Sequence, residues 1–247
     1  MLKEALEYLV KLGNTELFYE HGQVFSTQKL YPVERPTAEP IIVRSLSGFV
    51  DYLKSGFDRI NYVNDVDFEA LPPRLMVHVK SPVEVIAFDA LNEDMNRNYL
   101  IQAKALLPDI DFDRWYDPEN FIIKLQSCFV KTPDRDIMLK VVGNIKEENV
   151  NTFGDDGVSQ SVVAKTGVAT VAEVVVPNPV RLKPYRTFVE IDQPESKLIF
   201  RMKNGPLCAL FEADGGAWKL EAMRNIRNYL EERLEQEIFG KKITIIA

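Results

Sequence analysis

The sequence predicts an α+β fold: a twisted antiparallel sheet with helices packed on one side, a β-rich C-terminal half and a long C-terminal helix. Three observations predict it. Apolar residues recur at helical spacing in a central block and again near the C-terminus, whereas the stretch after Gly154 consists of short β-rich runs separated by turn residues. The order is a mixed block, then helices, then strands, which is not the alternation that a parallel βαβ sheet requires. Hydrophobic residues make up 46% of 247, enough for one sizeable core, so residues 1–247 are read as a single domain with a candidate smaller N-terminal lobe over 1–70.

Leu2, Ala5, Leu6, Leu9 and Val10 share one helical face, and Gly13-Asn14 stops that helix. From about residue 16 to 43 the β-formers are punctuated by Pro32, Pro36 and Pro40, which reads as short strands and an extended loop. Ser45 is placed as the N-cap of a helix carrying Leu46, Phe49, Val50 and Leu53 and ending near Gly56. The acidic loop NDVDFEALPP follows as a candidate hinge. In RLMVHVK, Leu75, Val77 and Val79 alternate with Met76, His78 and Lys80; with VEVIAFDAL after Ser81-Pro82, the pattern predicts a hairpin or two adjacent strands.

Three helices are then expected. The first covers about 92–106. The second starts at Asp117-Pro118, an N-cap with proline at the first helical position, and stacks Phe121, Leu125 and Phe129, with Ile122 widening the face. The third starts at Thr132-Pro133, with Asp134 and Asp136 complementing the helix dipole and Ile137, Val141, Val142 and Ile145 as its core face. Beyond Gly154, VSQSVVAKTG, VATVAEVVVP, VRLKPYRTFVEI, KLIFRMK and LCALFEA read as antiparallel strands with turns at Gly167, Pro177-Asn178-Pro179 and Gln193-Pro194. Asp214-Gly215-Gly216 leads into the long helix, about 217–238, with Met223, Ile226, Leu230 and Leu234. KITIIA is a last strand, packed internally or exchanged with a second copy.

A net charge of −7 opposes broad duplex DNA binding, which needs a positive field, and leaves room only for a local basic stripe. Two cysteines, Cys128 and Cys208, each inside an apolar run, are read as buried free thiols, which fits a reducing cytosol. The amphipathic N-terminus lacks the apolar core and cleavage site of a signal peptide, and no run is long enough to span a membrane. His21 and His78 are far apart; HExxH, CxxC, GxSxG, P-loop and GxGxxG patterns are absent, so no cofactor and no enzymatic activity are expected.

Two groups of side chains remain. Asp155 and Asp156 beside Gly157, and Glu212 and Asp214 beside Gly215-Gly216, are weak candidates for a metal ion or acid–base pair. The competing reading makes them turns, with Asp214 capping the long helix and the glycines in unusual backbone angles. Bare amides at Gly215-Gly216 also suggest a phosphate, opposed by the acidic neighbours. The second group is basic: Arg181, Lys183, Arg186, Lys197, Arg201 and Lys203. Arg181 and Lys183 share one strand face, as do Arg201 and Lys203, so pairing of those strands makes one stripe, with Tyr185, Phe188 and Phe200 between the cations to stack bases. The alternative is a solvated face whose charges are met by Glu190, Asp192 and Glu195. Trp115 and Trp218 are read as core anchors.

The runs VGNIKEENV, DDGVSQSVVAKTGVA, VPNPVRLKPYRTFVEIDQPES and LFEADGGAW resemble a phage and prophage family of unknown function, the YfdQ-like proteins, over most of the chain and most strongly from about 121 to 230. The resemblance implies a phage-encoded protein of the early, replication or recombination region, working in the cytoplasm of an infected or lysogenic bacterium. It brings no catalytic residues. Three functions are weighed from this. The first is an accessory protein acting by binding, as a homo-oligomer, on single-stranded nucleic acid or the replication machinery. The second is an anti-defence protein that binds a host immune protein or its nucleotide signal. The third is a metal-dependent enzyme built on the clustered carboxylates. A virion component is a further alternative.

Overall fold

A computed structural model describes residues 2–13, 17–20, 23–26, 38–55, 75–91, 95–143, 151–155, 160–163, 178–203 and 207–247. The chain divides into two compact units, Met1–Thr37 and Ala38–Ala247. The boundary falls in the proline-punctuated stretch, whereas the acidic loop offered as a hinge lies outside the described residues. The smaller unit holds helix α1 (Leu2–Gly13) and an antiparallel hairpin, β1 (Leu17–Glu20) and β2 (Gln23–Ser26).

The larger unit runs β3 (Ile41–Val43), α2 (Leu46–Ser55), β4 (Leu75–Ser81), β5 (Glu84–Phe88), β6 (Tyr99–Lys104), α3 (Pro118–Cys128), α4 (Pro133–Gly143), β7 (Asn151–Asp155), β8 (Gln160–Val163), β9 (Val180–Leu182), β10 (Ser196–Lys203), β11 (Leu207–Glu212), α5 (Trp218–Arg233), α6 (Glu235–Phe239) and β12 (Ile243–Ile246). The α+β class holds, but the strands are shared among separate sheets. One is five-stranded, in the order β12-β4-β5-β6-β3; one is three-stranded and antiparallel, β11-β10-β9; β7 and β8 form a hairpin. The five-stranded sheet is mixed. Its centre is antiparallel, and both edges are parallel, β12 along β4 and β3 along β6. Each edge strand is separated from its neighbour by intervening helix, and such long connections permit parallel pairing that a tight turn forbids.

The five-stranded and three-stranded sheets each bury one face under helices. Leu75, Val77, Val79, Val85, Ala87, Ile101 and Ala103 alternate inward in the five-stranded sheet and meet Phe49 of α2 and Ile226 and Leu230 of α5. The three-stranded sheet turns Leu182, Leu198, Phe200, Met202 and Cys208 toward α3 and α4. The caps fall where expected: Ser45 Oγ accepts from Gly48 N at 3.1 Å, Asp117 Oδ1 from Asn120 N at 3.0 Å, and Thr132 Oγ1 from Arg135 N at 3.2 Å.

Two elements differ from expectation. The helix expected over 92–106 is instead strand β6. Met95 has a positive φ of 61°, and beyond it Ile101 and Ala103 alternate inward against Gln102 and Lys104, so the period is two. Helix-favouring residues are overridden there by pairing with β5. The run VRLKPYRTFVEI is strand only over Val180–Leu182. Its remainder is a loop in which one buried side chain, that of Gln193, satisfies three backbone groups. Gln193 Oε1 accepts from Arg186 N at 3.0 Å and Thr187 N at 3.3 Å, while Gln193 Nε2 donates to Phe188 O at 2.9 Å. A buried glutamine thus does what a neighbouring strand would do.

That loop joins the two cores. Phe188 is buried in the core of the five-stranded sheet, Thr187 Oγ1 donates to Pro82 O in the β4–β5 turn, and Glu190 Oε1 accepts from Ser47 N and Oγ at 3.1 and 3.2 Å at the start of α2.

Cys128 and Cys208 are buried free thiols. Burial, with a smaller contribution from the charge of Asp117, pushes the Cys208 thiol up to about 12. A raised folded-state pKa favours the neutral thiol. The resulting stability is full below the ordinary thiol pKa of about 8.5 and is lost as pH climbs from there through about 12. Native protein at pH 8 is therefore expected to leave Cys208 unlabelled by an aromatic disulfide reagent, and unfolding in denaturant to expose it. Rapid labelling of native protein would contradict this burial.

Candidate functional site

Among the described residues, no helix core packs on the second face of the three-stranded sheet, and the register puts the cations there. In β10, Ser196, Leu198, Phe200 and Met202 are buried, so Lys197, Ile199, Arg201 and Lys203 point the other way. Arg181 of β9 pairs with Lys197, Ala209 of β11 with Arg201, and Phe211 with Ile199. Arg181, Lys197, Arg201 and Lys203 therefore share one face, within two adjacent strands. Lys183 and Tyr185 continue the alternation beyond the end of β9, half-buried, with their backbones tied to Val130 and Cys128.

Residues 113–116 run beside β11, with Asp113 N donating to Leu210 O at 2.9 Å and Tyr116 exchanging two 2.8 Å bonds with Cys208. This lays Trp115 across the outer face. Its ring stands edge-on to Phe211 with centroids 6.0 Å apart, and Lys203 Nζ lies 4.4 Å from its centroid. Phe211 and Lys203 occupy the register rows on either side of Ala209, so Trp115 covers the row between them, where Ala209 is fully buried.

The stripe anticipated from the sequence is thus partly rebuilt. Phe188 and Phe200, expected to stack bases, are both buried in the cores, because they occupy the inward alternation. Trp115 and Phe211 supply the rings instead, and Trp115 is a half-buried surface ring rather than a core anchor. The pairing between residues 113–116 and β11 is non-local, and no periodicity announces it.

Arg186 is also corrected. Only 8% of it is exposed. Its guanidinium donates to Glu212 Oε1 and to Ser196 Oγ, and it lies between two rings, 3.9 Å from the centroid of Trp218 and 5.3 Å from that of Phe112. Burial pulls its pKa down, and the charges of Glu212 and Asp214 oppose that shift. Arg186 is a strut of the fold, and Glu212 is its counter-ion.

The surrounding carboxylates are committed in part. Glu195 Oε1 is 3.4 Å from Arg181 Nη1, whereas Glu190 is bound to Ser47 at the start of α2. Asp214 Oδ1 accepts from Gly216 N at 2.9 Å, so the amide suggested for a phosphate already holds a carboxylate. Ala217, not Asp214, is the N-cap of α5; Gly215 and Gly216 take φ values of 63° and 79°, as the turn reading required. Asp155 ends β7, and Asp156 lies outside the described residues. Among the described residues, no group of three histidine, cysteine, aspartate or glutamate side chains is placed to hold a metal ion. Among them too, no helix is long and apolar enough to cross a membrane.

The chain matches no family model, no curated protein and no solved structure.

Proposed function

We propose that this chain is a phage-encoded accessory protein acting by binding, and that its ligand is single-stranded nucleic acid laid across the outer face of β9, β10 and β11. The observation that carries the reading is the coincidence, on that face, of Arg181, Lys197, Arg201 and Lys203 with the rings of Trp115 and Phe211. Cations neutralise phosphates, and rings stack on bases without regard to sequence; the combination is what single strands require. Lys197 to Lys203 spans roughly 20 Å at about 3.3 Å per residue, room for a few nucleotides. The net charge of −7 disfavours non-specific duplex binding, so binding would depend on a local basic face such as this one.

Anisotropy of a labelled oligothymidylate tests the proposal. Each phosphate contact is expected to contribute about −0.7 to the slope of log K against log salt. Arg201→Ala with Lys203→Ala is expected to weaken binding and flatten the slope by about 1.4. Trp115→Ala is expected to cost about 1–3 kcal/mol through lost stacking. Binding that the double substitution leaves unchanged would remove this face as the site.

A further inference from the structure

We propose that the outer face of the five-stranded sheet docks a second copy of this chain, sheet against sheet, in a two-fold dimer; this goes beyond the nucleic-acid reading and does not depend on it. The inner face is committed to α2 and α5, and among the described residues no hydrophobic cluster covers the other face. The register fixes what that face presents. Ile246, His78, Ile86, Gln102 and Ile42 stand in one row across all five strands. Thr244, Met76, Phe88 and Tyr99 make the next row. A bulge brings Tyr99 there. Ala87 pairs with Ile101 and Phe88 with Tyr99, so Leu100 is the extra residue. Leu100 packs against the inner core, and Tyr99 turns outward beside Phe88, with ring centroids 5.6 Å apart.

Ile42, Tyr99 and Ile246 are 51%, 47% and 42% exposed. Apolar residues exposed singly need no explanation, but these share one face with the half-buried Met76, Ile86 and Phe88. Neither row holds a lysine, arginine, aspartate or glutamate. Charges stand at the margins: Lys80, Glu84 and Lys104 at one end, and Arg97 over the Phe88 ring at the other. Glu84 is already met by Lys80 Nζ at 3.0 Å. An uncharged centre inside a charged rim is the anatomy of a protein interface. It lacks the central cations that phosphates require.

Charge and area select the occupant. In a two-fold dimer a patch meets itself. Two chains of net charge −7 can dock only through surfaces without excess negative charge, and this face is one. Five strands at about 4.8 Å are about 24 Å wide, and strands of five to seven residues are about 17–24 Å long. The flat footprint is about 400–570 Å² per copy, or about 800–1,150 Å² for the pair before side-chain relief is counted, at the lower end of specific interfaces. A Kd on the order of 10 µM is therefore expected.

Sedimentation velocity of the full chain from about 1 to 200 µM brackets that Kd. The wild-type protein is expected to pass from monomer to dimer over the range. Ile42→Glu is expected to raise Kd about ten-fold or more, because docking then buries an unpaired carboxylate. Ile86→Lys, at the centre of the face, is expected to abolish the dimer. Should circular dichroism show that Ile86→Lys does not fold, Ile42→Glu on the exposed edge strand decides alone. Arg201→Ala with Lys203→Ala, on the other sheet, is expected to leave the dimer intact while weakening oligothymidylate binding, so that each proposal fails separately. A wild-type chain that stays monomeric at the highest concentration overturns the dimer. A dimer that persists in the folded variants overturns this face as its interface. Loss of oligothymidylate binding in Ile42→Glu at unchanged mass does the same, since it assigns the face to nucleic acid.

Discussion

Arg186→Ala is expected to lower the unfolding free energy by about 3 kcal/mol, the lower end of the range for breaking a buried ion pair. The guanidinium forks to Glu212 and Ser196 and fills the space between Trp218 and Phe112. Alanine removes all four interactions and strands Ser196 Oγ, in a residue that is 1% exposed. Glu212 moderates the loss: its side chain is 40% exposed, so the freed carboxylate regains water. Arg186→Lys is expected to recover less than half, because an ammonium cannot fork to two acceptors and stack at once. Urea unfolding measures both. A ligand-contacting arginine would behave oppositely, leaving the unfolding midpoint in place and abolishing oligonucleotide binding; that pattern would refute the structural role.

The second large effect is expected at Phe188. Its ring is 2% exposed in the core of the five-stranded sheet, although its backbone belongs to the loop between β9 and β10. Phe188→Ala is expected to cost about 3–5 kcal/mol, transfer plus cavity. It should also loosen the joint between the cores, since Phe188 is the loop's fully buried anchor, and Ile191 and the hydrogen bonds of Thr187, Glu190 and Asp192 are more exposed or partly buried ties. Trp115 and Trp218 both border the three-stranded sheet, so fluorescence follows that half while far-UV circular dichroism follows the whole. The two transitions are expected to separate in the variant and to coincide in wild type. A single transition at the wild-type midpoint would show that Phe188 does not couple the cores.

What could be read early was local. Asp117-Pro118 and Thr132-Pro133 mark the starts of α3 and α4 because capping is settled by residues three apart, whatever the rest of the chain does. The face on which Arg201 and Lys203 lie was legible for the same kind of reason, since a strand alternates with period two. The strand β6 was not legible: YLIQAK suits a helix or a strand, and pairing with β5 on one side and β3 on the other decides it.

The candidate site divides along the same line. The sequence by itself determined that β10 carries its cations on one side and its apolar residues on the other, and that Gly215 and Gly216 make a turn. Only the tertiary structure decided which aromatic rings join those cations. It carried Trp115 onto the sheet from a segment some ninety residues away, and it withdrew Arg186 into a slot between two rings. Alternation and capping are short-range consequences of backbone geometry. Which ring covers which face depends on contacts whose loop-closure entropy is met only by cooperative burial, and no local pattern encodes those.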